Sequence, residues 1–267
     1  MKLLNGMELA GYIKERHARQ VRSLRSRKIF PKLAIVQAKD DPVINTYVSL
    51  KQKYAADIGA EVDVYKIPQN DIRSTIAKLN SDDSVHGIIV QLPLADPSET
   101  DEVVDLVAAN KDVDALGRSP DFEPATPMAI MWLLSGYNVD LGGKEILLIG
   151  RGKLVGAPLE KLLKNSGYEV DVVERKTPDL KRRTLKADVI ITATGNPGIL
   201  KSDMIKSGAI VVDAGTASED GKTVGDLASQ VYERDDLIIT PEKGGVGPLT
   251  VCALFENVIR AAENAES

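Results

Sequence analysis

Apolar positions in this chain fall into short runs separated by longer amphipathic stretches, so the period alternates between that of a strand and that of a helix. Leu33-Ala34-Ile35-Val36 and Gly87-Ile88-Ile89-Val90-Gln91-Leu92 are nearly continuous apolar runs of strand length, while Val62-Asp63-Val64-Tyr65 alternates as a half-exposed strand does. Asp41 is a suitable N-cap and Pro42 a suitable first-turn residue for a helix ending near Gly59, and a shorter helix is expected over 71–80. An amphipathic stretch over 7–27 precedes them. The resulting order, βαβαβ, implies parallel strands, because a parallel pair needs a crossover and helices provide it.

Over 110–127 the periodicity dissolves into Asp, Gly, Pro and Ser, which marks a domain connection. A helix is expected from Thr126-Pro127 to Gly136. Strands are then expected over 145–149, 169–173, 187–192, 209–213 and 237–240, with helices over 155–165 and from Thr177, and a last amphipathic helix over 249–262. Five short apolar strands with intervening helices describe a doubly wound dinucleotide-binding domain.

Length and composition agree with that picture: 267 residues suffice for two domains, and 43% hydrophobic with 27% charged residues is a globular balance. The net charge of -5, with signs mixed along the chain, excludes the broad basic surface that nucleic-acid binding requires. The basic stretch from Lys14 to Lys28 reads as the solvated face of a helix whose Tyr12, Ile13, Val21 and Leu24 are available for burial. Cys252, the single cysteine, lies among Val251, Ala253 and Leu254 and reads as a buried structural thiol suited to a reducing compartment. His17 and His86 are too isolated for a metal cluster, so no metal is expected. With no signal peptide and no apolar run of about twenty residues, the expectation is a soluble, cytoplasmic protein with no membrane partner.

Candidate chemistry collects in loops and strand ends. Gly150-Arg151-Gly152-Lys153-Leu154-Val155-Gly156 follows a strand and opens a helix, the setting in which glycines admit a pyrophosphate to a helix N-terminus. The next strand ends at Glu174-Arg175-Lys176; a carboxylate there favours the ribose hydroxyl of NAD, whereas Arg151 and Arg175 favour the 2′-phosphate of NADP, so both signals are present. Thr194, Gly195 and Gly198 follow a third strand at its carboxyl end. In the first half, Tyr47 and Lys51 lie one helical turn apart and share a face. Gln91 ends an apolar strand just before Leu92-Pro93-Leu94, an awkward place for an amide unless something polar meets it. Asp112 and Asp114 alternate in Lys111-Asp112-Val113-Asp114, and Gly244, Gly245 and Gly247 lie close together before the last helix, where backbone is expected to press against a flat surface.

Taken in order, these segments resemble the methylenetetrahydrofolate dehydrogenase/cyclohydrolase family of the FolD type. The resemblance rests on Asp41-Pro42, Tyr47-Val48-x-x-Lys51, Gly87 through Leu94, Lys111-Asp112-Val113-Asp114, Thr126-Pro127, Gly150-Arg151 through Val155-Gly156-Ala157-Pro158, Ala193-Thr194-Gly195-x-Pro197-Gly198, Asp213-x-Gly215 and Gly244-Gly245-Val246-Gly247-Pro248-x-Thr250. It implies a small three-layer αβα catalytic domain (1–124 plus 249–267), a Rossmann-type domain (125–248) and a cleft between them. It further implies NADP-dependent oxidation of 5,10-methylenetetrahydrofolate, hydrolysis of the methenyl product to 10-formyltetrahydrofolate, and a homodimer. By the same resemblance Lys51, Tyr47 and Gln91 are catalytic. Tyr47, Gln91, Leu92, Pro93, Asp114, Gly244, Gly245, Val246 and Pro248 bind folate, and Gly150, Arg151, Gly152, Val155, Glu174, Arg175, Thr194, Gly195, Gly215, Gly247 and Thr250 bind the dinucleotide. Departures from the family pattern fall at Ala115-Leu116-Gly117-Arg118, Gly152, Glu174-Arg175 and Glu242-Lys243. They keep open an alternative, a monofunctional NAD-dependent dehydrogenase of the same ancestry.

Overall fold

The computed structural model describes residues 2–174, 176–219 and 222–265. In chain order the elements are β1 (Lys2–Leu3), α1 (Gly6–Ser26), β2 (Lys32–Gln37), α2 (Pro42–Ile58), β3 (Glu61–Lys66), α3 (Ile72–Asn80), β4 (Gly87–Gln91), α4 (Thr100–Val104) and α5 (Ala125–Gly136). They continue with β5 (Ile146–Ile149), α6 (Gly156–Asn165), β6 (Val170–Val173), α7 (Leu180–Lys186), β7 (Val189–Thr192), β8 (Ile210–Asp213), β9 (Ala217–Glu219), β10 (Lys222–Val224), β11 (Ile238–Ile239) and α8 (Val246–Asn264). Two compact units result: one takes the chain up to Ala10 with Thr126–Thr250, the other Gly11–Ala125 and the chain from Val251 onward.

The second of these units holds a parallel three-stranded sheet in the order β3-β2-β4. The middle of its central strand is apolar because both faces are covered: Leu33, Ala34, Ile35 and Val36 are all fully buried. On one face Ala34, Val36, Ile88 and Val90 pack with Ile72, Ile76 and Leu79 of α3 and Val103 and Val104 of α4. Helix α2 starts where the sequence predicts, with the Asp41 carboxylate accepting from Val43 N at 2.9 Å, and stops at Gly59 in the left-handed region (φ 83°). Register pairs Gln37 with Gln91 at the carboxyl ends of β2 and β4, so these two amides leave the sheet on one face.

The other unit is built on a parallel six-stranded sheet, order β1-β11-β8-β7-β5-β6, with Leu147, Ile149, Ile190, Val211 and Ile239 in its core. From β5 the chain goes to β6 on one side and to β7 on the other, which makes the β5/β7 edge the switch point where doubly wound sheets bind ligands. Five of the strands are those expected; the sixth is not. Lys2 N and Leu4 N donate to Leu237 O and Ile239 O, so the N-terminal residues complete this sheet. The first ten residues thus depart from the expected partition, which assigned everything from residue 1 to the three-stranded unit. Helix α8 also starts earlier than expected, at Val246, and α4 and the antiparallel pair β9–β10 have no counterpart in the sequence reading.

Candidate functional site

In the three-stranded unit, polar groups gather at the carboxyl end of the sheet. The buried face of α2 carries Ile44, Val48 and Ala55, and Lys51, on the same face, reaches across to the strand end: its Nζ donates to Gln91 Oε1 at 2.8 Å. Gln91 is held in turn by its own Nε2, which donates to Leu92 O at 3.1 Å. Burial pulls the Lys51 ammonium below the ordinary lysine range, and the Asp114 charge opposes that shift. Asp114 is raised by burial, with Lys51 opposing. Lysine, amide and carboxylate therefore form one electrostatic unit. Tyr47 lies one turn before Lys51 on α2; Leu92 is half-buried and Pro93 exposed beside Gln91.

The two aspartates of Lys111-Asp112-Val113-Asp114 have different tasks. Asp112, almost fully buried, accepts from Leu116 N at 3.3 Å and Gly117 N at 2.8 Å, closing the loop that departs from the family pattern, with Ala115 at φ 56°. Asp114 is left to face Lys51. A residue that the sequence reading missed fixes this segment from behind: Asn257 on α8, fully buried, donates from Nδ2 to Val113 O and to Glu123 O, both at 2.9 Å. Its only sequence signal is an amide inside an apolar helix face.

The histidines and cysteine are structural, as expected. His17 is fully buried between Tyr54 Oη and Glu256 Oε2, each at 2.9 Å from a ring nitrogen, and Cys252 is buried with its thiol pushed up by desolvation. Among the described residues no group of His, Cys, Asp and Glu is arranged to hold a metal ion.

In the six-stranded unit the chemistry is carried by backbone. Gly150 (φ 107°) turns the chain out of β5, and a Cβ there would lie 2.5 Å from Ala193 O in the loop after β7. A Cβ on Gly156 would lie 2.2 Å from Gly150 O, so the turn folds back onto the first turn of α6 with no room for a side chain. Gly152 instead faces open space, and no side chain caps α6. A bare helix N-terminus beside a glycine turn at the switch point fits the pyrophosphate of a dinucleotide.

Thr194 and Gly195, in the loop after β7, are shaped by another residue that the sequence reading missed. Buried Asp226 accepts from Thr194 N at 2.7 Å and Asn196 N at 2.8 Å. Asp213, ending β8, accepts from Gly215 N, Asp226 N and Leu227 N. Gly215 and the neighbouring Gly225 exist for these carboxylates: a Cβ on either would meet Asp226 or Asp213 within 2.2 Å. Those glycines were the legible trace of Asp226.

Gly244 (φ 84°), Gly245, Val246, Gly247, Pro248 and Thr250 belong to this unit as well. Here the flat surface that the glycines press against proves partly to be the protein itself, since a Cβ on Gly6 would lie 1.8 Å from Gly245 O and Met7 N donates to Gly244 O. Gly247 has nothing within 4 Å of a built Cβ, and Thr250 Oγ1 lies 3.4 Å from Val246 O and 3.5 Å from Thr126 Oγ1.

Beside α6 and β6 opens a cavity of about 560 Å³ lined by Arg151, Glu160, Lys164, Glu174, Lys176 and Thr177, floored by Val170 and Val172. Glu174 N donates to Thr177 Oγ1 at 2.8 Å, which fixes the strand end. Val155 precedes α6 as its cap residue. Arg175, also expected here, lies outside the described residues.

Residues 4–114 match the family pattern described as "Tetrahydrofolate dehydrogenase/cyclohydrolase, catalytic domain", and residues 124–266 that of its "NAD(P)-binding domain". The chain belongs to this family. A relative from Campylobacter jejuni (strain RM1221), bifunctional protein FolD, is 40% identical over 99% of this chain and 99% of its own length. The crystal structure of the bifunctional enzyme FolD from Campylobacter jejuni superposes with a TM-score of 0.92 at 40% identity, covering 99% of both chains. The dehydrogenase-cyclohydrolase of Trypanosoma brucei, complexed with NADP cofactor and inhibitor, also gives 0.92, at 30% identity, covering 99% of this chain and 98% of that one. Within this dehydrogenase/cyclohydrolase chain, then, the lysine–amide–carboxylate group falls in the segment matched by the catalytic pattern, and the glycine turn in the segment matched by the NAD(P)-binding pattern.

Proposed function

We propose that this protein is a bifunctional one-carbon folate enzyme. It oxidises 5,10-methylenetetrahydrofolate to the methenyl compound with NADP⁺ and hydrolyses that compound to 10-formyltetrahydrofolate. The carrying observation is the 2.8 Å contact between Lys51 and Gln91 beside Asp114, in the segment that matches the family's catalytic domain. Relatives covering 99% of the chain are named bifunctional, which supports two activities over the monofunctional alternative.

A bound NADP⁺ would supply the acceptor for the hydride that leaves the methylene carbon. The chain's task in that step is positioning, because the substrate's own nitrogen lone pairs drive hydride loss. Asp114 pairs with the donor edge of the pterin ring, and Tyr47 packs along the folate. Leu92 and Pro93 add to the folate contacts of their unit, and Gly244, Gly245, Val246 and Pro248 are the folate-binding residues proposed for the other. Gly150, Arg151, Gly152, Val155, Thr194 and Gly195 would hold the dinucleotide, and Gly247, with open space around it, would leave it room. In the hydrolytic step water adds to the methenyl carbon and gives up a proton to Lys51. The adduct then opens at the carbon–N5 bond, N5 takes a proton, and the carbon stays on N10 as the formyl group; one proton is released overall. A buried lysine suits this step because desolvation favours its neutral form, and Gln91 Oε1 fixes where its nitrogen points. No helix of the described residues is long and apolar enough to cross a membrane; a cytoplasmic location is part of the proposal. We further propose that it acts as a homodimer.

Two absorbance assays test the reading: reduction of NADP⁺ with methylenetetrahydrofolate, and loss of the methenyl chromophore. Lys51→Ala is expected to slow hydrolysis by about 10²–10⁴-fold, the usual contribution of a positioned acid–base group. Hydrolysis at the unaltered rate would remove Lys51 from the mechanism.

A further inference from the structure

The cavity beside α6 and β6 carries a charge arrangement that the proposed reaction leaves unexplained. Glu160, on α6, lies beneath it with a side chain only 12% exposed, and both of its oxygens are engaged. Oε2 takes the Arg151 Nε at 2.9 Å, and Oε1 takes the Lys164 Nζ at 2.7 Å. The cations themselves remain 59% and 55% exposed and open to the cavity. Around the same space stand Lys176 from one side and Glu174 from the end of β6.

This is the place where a doubly wound domain meets the adenosine ribose, since Glu174 directly follows β6, the strand after the glycine turn, and Arg151 lies within that turn. A ribose hydroxyl needs a carboxylate there; a 2′-phosphate, carrying about −1.5 to −2 charge, needs uncompensated cations. Arg151 contacts Glu160 through Nε, so the two terminal nitrogens of its guanidinium, the edge that grips phosphate bidentately, are not used by that bond. Glu160 thus does two things at once. It orients Arg151, and its charge offsets the cations that would select the phosphorylated ribose.

We propose that Glu160 is the residue that sets the balance between NADP and NAD in this protein, holding the site short of full selectivity for the phosphorylated dinucleotide. The proposal rests on the dinucleotide-binding role of the six-stranded unit. Glu160→Gln removes the negative charge while its amide oxygen still accepts from Arg151 Nε; the bond from Lys164 Nζ, which an amide nitrogen cannot accept, goes with the charge.

The test is equilibrium titration of NADP⁺ and NAD⁺, and of 2′,5′-ADP against 5′-AMP, into wild type and Glu160→Gln without folate, at low and high salt. Removing one charge near the phosphate is expected to raise the ratio of NAD⁺ to NADP⁺ dissociation constants by roughly five- to tenfold at low salt. The 2′,5′-ADP pair should follow, and the gain should shrink as salt screens these exposed groups. NAD⁺ affinity should stay within about twofold, which separates a lost charge from a damaged fold. An unchanged ratio, a shift toward NAD⁺, or a gain indifferent to salt overturns the proposal. Failure of wild type to bind either dinucleotide would instead overturn the reading on which it rests.

Discussion

The carboxyl ends of the two sheets are built by opposite means. In the three-stranded sheet the site consists of side chains: Lys51 from a helix, Gln91 from a strand end and Asp114 from a loop, brought together by a hydrogen bond and by mutual charge. In the six-stranded sheet it consists of their absence: Gly150 and Gly156 let one stretch of backbone lie against another, and no side chain caps α6. A site of the first kind is lost by removing atoms, and a site of the second by adding them. Proton transfer needs a titratable group of fixed position, whereas holding a pyrophosphate needs only N–H groups and space.

The contrast can be broken by Gly156→Val, from which the largest effect on the glycine-built site is expected. Its Cβ would lie 2.2 Å from Gly150 O, and relief of that clash must displace the turn. Overpacking of this kind costs roughly 1–3 kcal/mol, so dinucleotide affinity should fall by about ten- to a hundredfold. Methenyl hydrolysis, which consumes no dinucleotide, should persist in a protein whose circular dichroism is unchanged. Parallel loss of both activities would mean that the two regions are not separable in this way.

A smaller effect sharpens the other half. Gln91→Glu places a carboxylate on the Lys51 amine, which stabilises the ammonium and raises its pKa against the downward pull of burial. In wild type the neutral amine is available at a lower pH than for a free lysine, and hydrolysis should rise with pH through that lowered value. In the variant the rising limb should move to higher pH. A pH–rate profile at saturating methenyl substrate reads the shift directly; a stationary limb would show that another group carries the proton.

The smallest expected effect concerns the support of Asp114. Asn257→Ala deletes two buried hydrogen bonds and leaves Val113 O and Glu123 O to find other donors. Chemical denaturation should report a loss of about 1–3 kcal/mol. Folate affinity should weaken along with stability if the segment carries Asp114 as described, and stability loss with intact affinity would separate the two.

What the sequence made legible follows from range. Asp41, Pro42 and Gly59 act on backbone a few residues away, and they predicted α2 to within a residue of its observed ends. Gln91 could be singled out because an amide at the end of an apolar strand is costly unless met, and Lys51 meets it. Long-range partnerships had no such signature. Asp112 and Asp114 are alike in sequence, and only folding shows that one closes its own loop while the other faces a lysine. Asn257 and Glu160 carry no such mark, and Asp226 none beyond the glycines at 215 and 225, because their partners lie in segments brought near only by folding or by a helical turn. The β1 strand is too short for any period to reveal.

That strand ties together distant parts of the chain. Lys2 and Leu3 pair with Ile238 and Ile239, a contact between residues more than two hundred positions apart. Pairings of such separation are of the kind that slows folding, because the intervening chain must be ordered before these backbone amides find their acceptors. A bulky extension placed directly ahead of Lys2 would therefore be felt in the six-stranded sheet, and not in the three-stranded unit that holds most of the helix following it.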